Sequence, residues 1–418
     1  MSNLNLSGAS PAGGRSAPVD RLRATLTVLV VLHHAVLAYH PYGAPLVPDW
    51  STDFAWRAFP VVDAAKMPGA DLIVWFNDTF FMALMFLLAG LYAWPALAAK
   101  GAGGFLRERA LRLGIPFLAS CAVLAPLAYY PAWLQRGGQG GFAAYAHDWV
   151  ALPMWPAGPA WFLWVLLAFA LVAALVNALV PSLRERAARF GDWCAAHPVR
   201  AYGVFSAAAV LAYIPGEQAF GGFEWFSFGP FTAQTCRLGL YAAYFAFGMA
   251  LGARGVPAIF ASDGALARRW GRWASLAAVL FFAMMAIVIA LFAALAKQTL
   301  GLGLVLAADT AFCVAGVAIS FAAIGLFARR VRGGGALPTS LERCAFGIYL
   351  LHYAYVSLLQ YLLLGSSLPG AAKGPLVFGG ALAASWVTTA VLLRIPPVAR
   401  VIGQGPVRER GREPLLAT

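Results

Sequence analysis

Arg23 and His34 stand eleven positions apart in the stretch RATLTVLVVLHH, a cation followed by an uncharged apolar run that closes on two histidines. On a helix rising about 1.5 Å per residue, His34 lies roughly 16 Å beyond Arg23, about half of a ~30 Å hydrocarbon core. An ionisable group at that depth is costly and marks a functional site by default. Imidazole is also the side chain best matched to taking a proton near neutral pH, so His34 is the candidate general base. The competing reading is a polar residue that ties helices together by a hydrogen bond. His33 points about 100° away around the helix and is expected to be structural.

Three further groups bear on the same chemistry. In FLRERALRLGIP, Arg109 and Arg112 are three apart and so are neighbours on one helical face, with Pro116 bending or starting the next segment. Such a pair either marks topology and contacts lipid phosphates, or grips a phosphorylated cofactor by bidentate contacts. In FGIYLLHYAY, His352 lies nine residues inward from Arg343, at about 13–14 Å depth and close to the level of His34. Two histidines at matched depth, both reached from the basic side, predict a shared site. Asn77, Asp78 and Thr79 form a polar notch in an apolar run. Asp78 either orients a histidine or accepts from a sugar hydroxyl, or it is a neutral hydrogen-bonded carboxyl. Asp309 is expected to be structural.

The elements that must hold these residues follow from composition. The chain has 418 residues, 61% hydrophobic and 11% charged, too few charges to cover a water-facing surface. Apolar runs of about 20 residues recur throughout, which predicts an all-α polytopic membrane bundle. Ten spans are expected near 24–42, 70–99, 113–134, 159–182, 201–215, 235–253, 273–296, 302–328, 344–364 and 375–398. With the N-terminus cytoplasmic, most of the 30 lysines and arginines fall inside, and only Arg57, Lys66, Arg136, Arg237, Lys297 and Lys373 fall outside. That asymmetry satisfies the positive-inside rule with both termini cytoplasmic, so the net charge of +13 sets orientation and calls for no nucleic-acid partner. Residues 1–19 read as a disordered polar tail and not a signal peptide, 20–400 as one membrane domain, and 401–418 as a basic cytoplasmic tail. Outer loops near 43–69, 135–158 and 216–234 are rich in aromatics, glycine and proline. They read either as an interfacial aromatic belt or as an acceptor site. The five cysteines show no metal-ligand spacing and no disulfide framework, so no metal is expected. A transporter or flippase moving a polar or lipid-linked substrate without covalent chemistry is the alternative to an enzyme. Against it, the chain has no inverted repeat and few intramembrane charges.

Together these segments resemble the acyltransferase-3 family, multi-spanning membrane proteins that acylate glycans and other acceptors. The family's basic residue, ten intervening positions and histidine match Arg23 and His34. Its Arg-x-x-Arg pair matches Arg109 and Arg112, followed by Pro116. Its phenylalanine-rich element resembles FFMALMFLLAG, Phe80 to Gly90; its Trp-aromatic-Leu element resembles Trp161 to Leu163; its Tyr-Leu-x-His element resembles Tyr349 to His352. The serine usual before the glycine of the second span is Ala89 here, so no hydroxyl role is expected there. The resemblance implies an acyl-CoA donor, in the simplest case acetyl-CoA, entering from the cytoplasm across a bacterial-type inner membrane. It implies a glycan or other hydroxyl acceptor on the periplasmic side. On that picture Arg23, Arg109 and Arg112 hold the nucleotide phosphates, and His34 is base or transient acyl carrier. His352, Asn77 and Trp161 line the tunnel, Trp161 on the cofactor side and Asn77 with Tyr349 on the substrate side; His352 and Asp78 join His34 as catalytic candidates, Asp78 orienting a histidine or the acceptor.

Overall fold

The structure is a computed structural model and describes residues 16–43, 45–48, 50, 58–222, 224–255, 258–332 and 334–402. Most of the expected N-terminal tail (1–15) and of the C-terminal tail (403–418) lies outside the described residues. The first helix, α1 (Ala17–Leu37), starts earlier than expected because Pro18 occupies its first turn, where the missing N–H has no intrahelical partner to lose. It also stops earlier, at Leu37 and not near residue 42.

Each of the ten expected spans overlaps helix, but the one expected over 70–99 is split by a turn at Leu91–Tyr92 and the one over 375–398 runs past the helix end at Leu392. After α1 come α2 (Ala70–Gly90), α3 (Ala93–Arg109), α4 (Ile115–Ala119), α5 (Ala125–Gln135) and α6 (Gly141–Val150). They are followed by α7 (Trp161–Leu179), α8 (Leu183–Ala196) and α9 (Pro198–Phe220). A hairpin of β1 (Trp225–Phe228) and β2 (Phe231–Gln234) precedes α10 (Leu238–Gly252). The chain closes with α11 (Ala265–Arg268), α12 (Trp270–Ala296), α13 (Leu302–Arg330), α14 (Ala336–Leu362), α15 (Gly370–Leu392) and α16 (Pro396–Ile402). Among the described residues, seven helical stretches are long and apolar enough to cross a membrane by length and composition. The expected spans on α1, α10 and α14 are not among these seven. Asp20, Arg21 and Arg23 interrupt the start of α1, α10 has only 15 residues, and His352, Gln360 and the tyrosines of α14 lower its apolar character.

One span departs from the expected pattern. Residues Ala93–Gln135 run as 43 helical residues, about twice the length that crosses a bilayer. The run is not straight. Gly101 breaks α3 with φ 67° and ψ 172°, a conformation that glycine adopts without a Cβ clash. Two π turns, Ala110–Gly114 and Ser120–Leu124, then interrupt the stretch that carries Arg112. A π turn widens the helix, so residues three apart no longer stack as they do on an α-helix.

Polar contacts define two faces. Arg21 pairs with Glu342, joining the starts of α1 and α14 on what we call the basic face. At the opposite, loop-bearing face, Gln135 exchanges hydrogen bonds with the backbone of Val62, and Arg136 donates to the carbonyls of Val47 (2.9 Å) and Pro60 (3.0 Å). The same loop is anchored by a buried ion pair, Lys373 to Asp63 at 2.8 Å, with both side chains at most 5% exposed. Inside, α10 lies against α2 along Gly248 and Gly252. A Cβ on either would meet the carbonyl of Leu87 or Leu91 at 2.0 Å or less, so the spacing of small residues sets the approach of the two backbones. Large apolar side chains such as Leu171, Leu211, Val279, Ile289 and Val387 point outward, as a lipid-facing belt requires.

Candidate functional site

The parallel helices α1 and α14 bring His34 and His352 together. Their ring centroids are 5.3 Å apart, and Tyr353 packs edge-on against His34 at 4.8 Å. His352 is fully buried. Its Nδ1 lies 2.7 Å from the carbonyl oxygen of Tyr349. A carbonyl only accepts, so Nδ1 carries the hydrogen and the Nε2 of the neutral ring holds a free lone pair. That Nε2 and the Nδ1 of His34 are both buried without a hydrogen-bond partner. Buried polar atoms are normally satisfied, and two unsatisfied ring nitrogens side by side are what an acid–base site needs before its substrate arrives.

The depth of the site differs from the expectation. His34 lies in the last turn of α1, so it is about 16 Å from Arg23 but only about 5 Å short of the helix end on the loop side. Helix ends leave four carbonyls without intrahelical donors. Gln360 of α14 donates to two of them, those of His34 (3.0 Å) and Ala35 (3.2 Å), while Tyr39 and His40 donate to those of Val36 and Leu37. The backbone that carries His34 is therefore fixed from both sides. Just beyond it, His40 is 7% exposed and accepts from the backbone N–H of Tyr42. Burial lowers its imidazole below the ordinary value, with Asp71 opposing the shift and Lys66 adding to it.

Tyr349 links the site to its roof. Its hydroxyl donates to the carbonyl of Pro159 in the 3-10 turn Gly158–Ala160, and its own carbonyl orients His352. Gly158 has φ 54°, and a Cβ there would stand 3.1 Å from the Tyr353 ring. Beneath this turn a small cavity is lined by Ser120, Ala125, Ala128, Ala160, Tyr349 and Tyr353, among others. The Ser120 hydroxyl beside it is buried and unpartnered.

At the basic face the expected arginines gather. The guanidinium of Arg109 lies over Phe105 at 5.1 Å, feels the positive charges of Arg23 and Arg112, and keeps a buried Nε without an acceptor. Arg23 sits over Tyr92 at 5.8 Å and loosely beside Asp20 at 3.9 Å. Arg112 turns to Glu108 at 3.6 Å, which Lys100 also pairs with. These three arginines and Lys100 face two carboxylates, Asp20 and Glu108, and the excess of positive charge suits an anionic phosphate group.

Other expected residues are occupied elsewhere. Asp78 faces Arg237 in a two-pronged ion pair, Nη1 to Oδ1 at 2.8 Å and Nη2 to Oδ2 at 2.5 Å, and makes no hydrogen bond to a histidine among the described residues. Asn77 donates to the carbonyl of Leu29 at 3.3 Å, tying α2 to α1 rather than facing the two histidines. Trp161 stacks on Tyr241 at 5.5 Å and meets Trp225 edge-on, so it belongs to an aromatic wall under the hairpin. His33 packs against Phe81 at 5.1 Å and stands 5.4 Å from His34, with a buried, unpartnered Nδ1 that a purely structural histidine would have satisfied. Sequence reasoning missed Tyr353, Gln360, Gly158 and Arg237. Tyr353 adjoins His352, and Gln360 is a polar residue two turns further along the same apolar helix, so both were visible as signals. Arg237, expected on the outer side, pairs with Asp78 across 159 positions, which no spacing in the sequence shows.

No curated protein and no solved structure matches the chain. A family model described as an acyltransferase domain matches residues 17–391, from the first residue of α1 to the end of α15. The match takes in every element that builds the histidine pair and the arginine cluster, and it decides for an enzyme over a transporter. This chain belongs to the acyltransferase-3 family and is a multi-pass membrane acyltransferase.

Proposed function

We propose that the protein moves an acyl group, in the simplest case acetyl, from cytoplasmic acyl-CoA to a hydroxyl of a glycan or similar acceptor at the loop-bearing, periplasmic face of an inner membrane. The observation that carries this reading is the buried pair of unpartnered nitrogens, His34 Nδ1 and His352 Nε2, on the path between the arginine cluster and the loops. Arg23, Arg109 and Arg112 receive the donor's phosphates. The pantetheine arm follows the wall of small residues at Ser120, Ala125 and Ala128 toward Tyr353. The cavity there is narrow, so donor entry parts the π-turned helix from α14, at the two π turns, a feature frequent at functional sites.

His352 Nε2 takes the acceptor's hydroxyl proton as the oxygen attacks the thioester carbonyl. The C–S bond breaks as the C–O bond forms, and the proton passes through His34 to the leaving sulfur, releasing the thiol form of CoA. Trp161, partly buried and backed by Tyr241, offers an aromatic face to a sugar ring on the acceptor side, and Asp78, partly open, offers a carboxylate to its hydroxyls. The test is release of CoA from acetyl-CoA by the purified full chain in detergent, with and without a hydroxyl-bearing glycan. The reading requires release that depends on the acceptor and leaves an ester on it. Acetyl-CoA that neither binds nor loses its acyl group would refute the donor assignment. Label held on His34 before acceptor is added would convert direct transfer into an acyl-histidine relay.

A further inference from the structure

A second arginine cluster lies at the basic face, apart from the one assigned to the donor. Arg268 and Arg269 end α11, Arg272 sits in the first turn of α12, and Arg329 and Arg330 end α13. The three helices are held together tightly. Gly325 of α13 lies under the Leu266 carbonyl, where a Cβ would approach to 3.0 Å, and Arg330 stacks over the Trp270 ring at 5.2 Å. The five arginines are exposed, and Arg268 to Arg272 line an open hollow.

The cluster lacks counter-charge. Several arginines elsewhere on the basic face are matched: Arg21 with Glu342, Arg112 with Glu108, and Arg254 with Glu185 at 2.9 Å and Asp192 at 3.0 Å. None of the five arginines makes an ion pair among the described residues, and Asp263, the nearest acid along the chain, makes none either. Arg329 and Arg330 suit the negative end of the α13 dipole. Arg269 and Arg272 do not suit the positive end of α12. Arg269 occupies the N-cap itself, where serine, threonine or aspartate is favoured, and no side chain caps the first-turn amides. Like charges gathered at a positive helix end repel each other unless an anion joins them. The hollow opens where two long apolar spans reach the membrane surface, with an indole at the same level, as in residues that sit among lipid headgroups.

We infer that Arg268, Arg269, Arg272, Arg329 and Arg330, with Trp270, form a binding site for the phosphodiester headgroup of an anionic phospholipid in the cytoplasmic leaflet. The lipid's phosphate meets the guanidinium groups and the free amides of α12, and its acyl chains lie along the exposed apolar faces of α12. Basic pockets between spans at the cytoplasmic surface hold anionic lipids in this way, each arginine contributing about 1 kcal/mol.

The test is native mass spectrometry of the purified full chain, titrated with phosphatidylglycerol or phosphatidylcholine of the same acyl composition. The expected result is one phosphatidylglycerol held at least tenfold more tightly than phosphatidylcholine. Arg269→Gln with Arg272→Gln should weaken it about 30-fold. Arg186→Ala with Arg200→Ala, which removes equal charge elsewhere on the basic face, should leave it unchanged. Equal retention of the two lipids by the wild type, which needs no variant to fold, would overturn the site. So would equal loss in the control pair. Displacement of the lipid by millimolar inorganic phosphate would overturn the lipid assignment in favour of a free-anion site.

Discussion

Two kinds of buried polar centre occur in this bundle, and they are built oppositely. The ion pairs Lys373–Asp63 and Arg237–Asp78 are matched, each carboxylate facing a cation at 2.8 Å or closer. The histidine pair is unmatched: His34 and His352 lie side by side, each with one buried ring nitrogen that bonds to nothing. A matched pair spends its charge on holding helices and loops in place, although Arg237 keeps a buried Nε without a partner. An unmatched pair in an apolar interior costs stability and keeps that capacity for a substrate. The contrast does not follow sequence position: Asp78 and Asn77 lie in the expected notch, yet each already holds a partner, Arg237 and the Leu29 carbonyl.

The largest effect should come from the unmatched centre. His352→Gln should lower the turnover number by about 10³-fold, within the range for a lost acid–base group, while the protein remains folded by its elution profile and thermal transition. Breaking a matched pair should do the reverse. Lys373→Met leaves Asp63 buried and uncompensated, and should cost about 3–5 kcal/mol of stability in mixed-micelle unfolding. Adding Asp63→Leu should restore most of it, because the uncompensated charge is then gone. Arg109→Ala should raise the KM for acyl-CoA about tenfold with little change in turnover, as expected for a contact made equally in ground and transition states. Gly158→Ala, strained at φ 54° and pressed against Tyr353, should cost about 1 kcal/mol and lower activity through the roof of the site. The smallest effect is pH-dependent. His40 is lowered by burial, so the unfolded chain takes up its proton first and stability falls as pH drops below about 6.5. Comparing that slope with His40→Gln isolates it; an unchanged slope would remove His40 from the acid sensitivity.

Much of this was legible in the sequence, for definite reasons. Composition and apolar run lengths announce a helical membrane protein because lipid tolerates only backbone that satisfies itself. Arg23 and His34 were readable because their spacing lies within one helix, where a fixed rise converts positions into depth. His352 joined them only by matched depth, which the 5.3 Å ring separation bears out as geometry. Reading Arg109 and Arg112 as stacked neighbours failed for a local reason, since the π turn after Arg109 changes the angle per residue and α-helical spacing no longer applies. The role of Asp78 was hidden for a non-local one. Its partner is 159 positions away at the start of α10, and no periodicity links the two. The same holds for Lys373 and Asp63, 310 positions apart. His33, expected to be structural, faces Phe81 and keeps a buried Nδ1 without a partner.

The central claim is that His34 and His352 act as one unit. The most direct test is a double-mutant cycle on acetyl-CoA turnover by the purified full chain, with His34→Ala, His352→Ala and both together. Groups that share one proton path are strongly non-additive, so the account predicts that the double variant is about as slow as the slower single variant. Losses that multiply, or a His34→Ala protein that keeps near wild-type turnover, would contradict it.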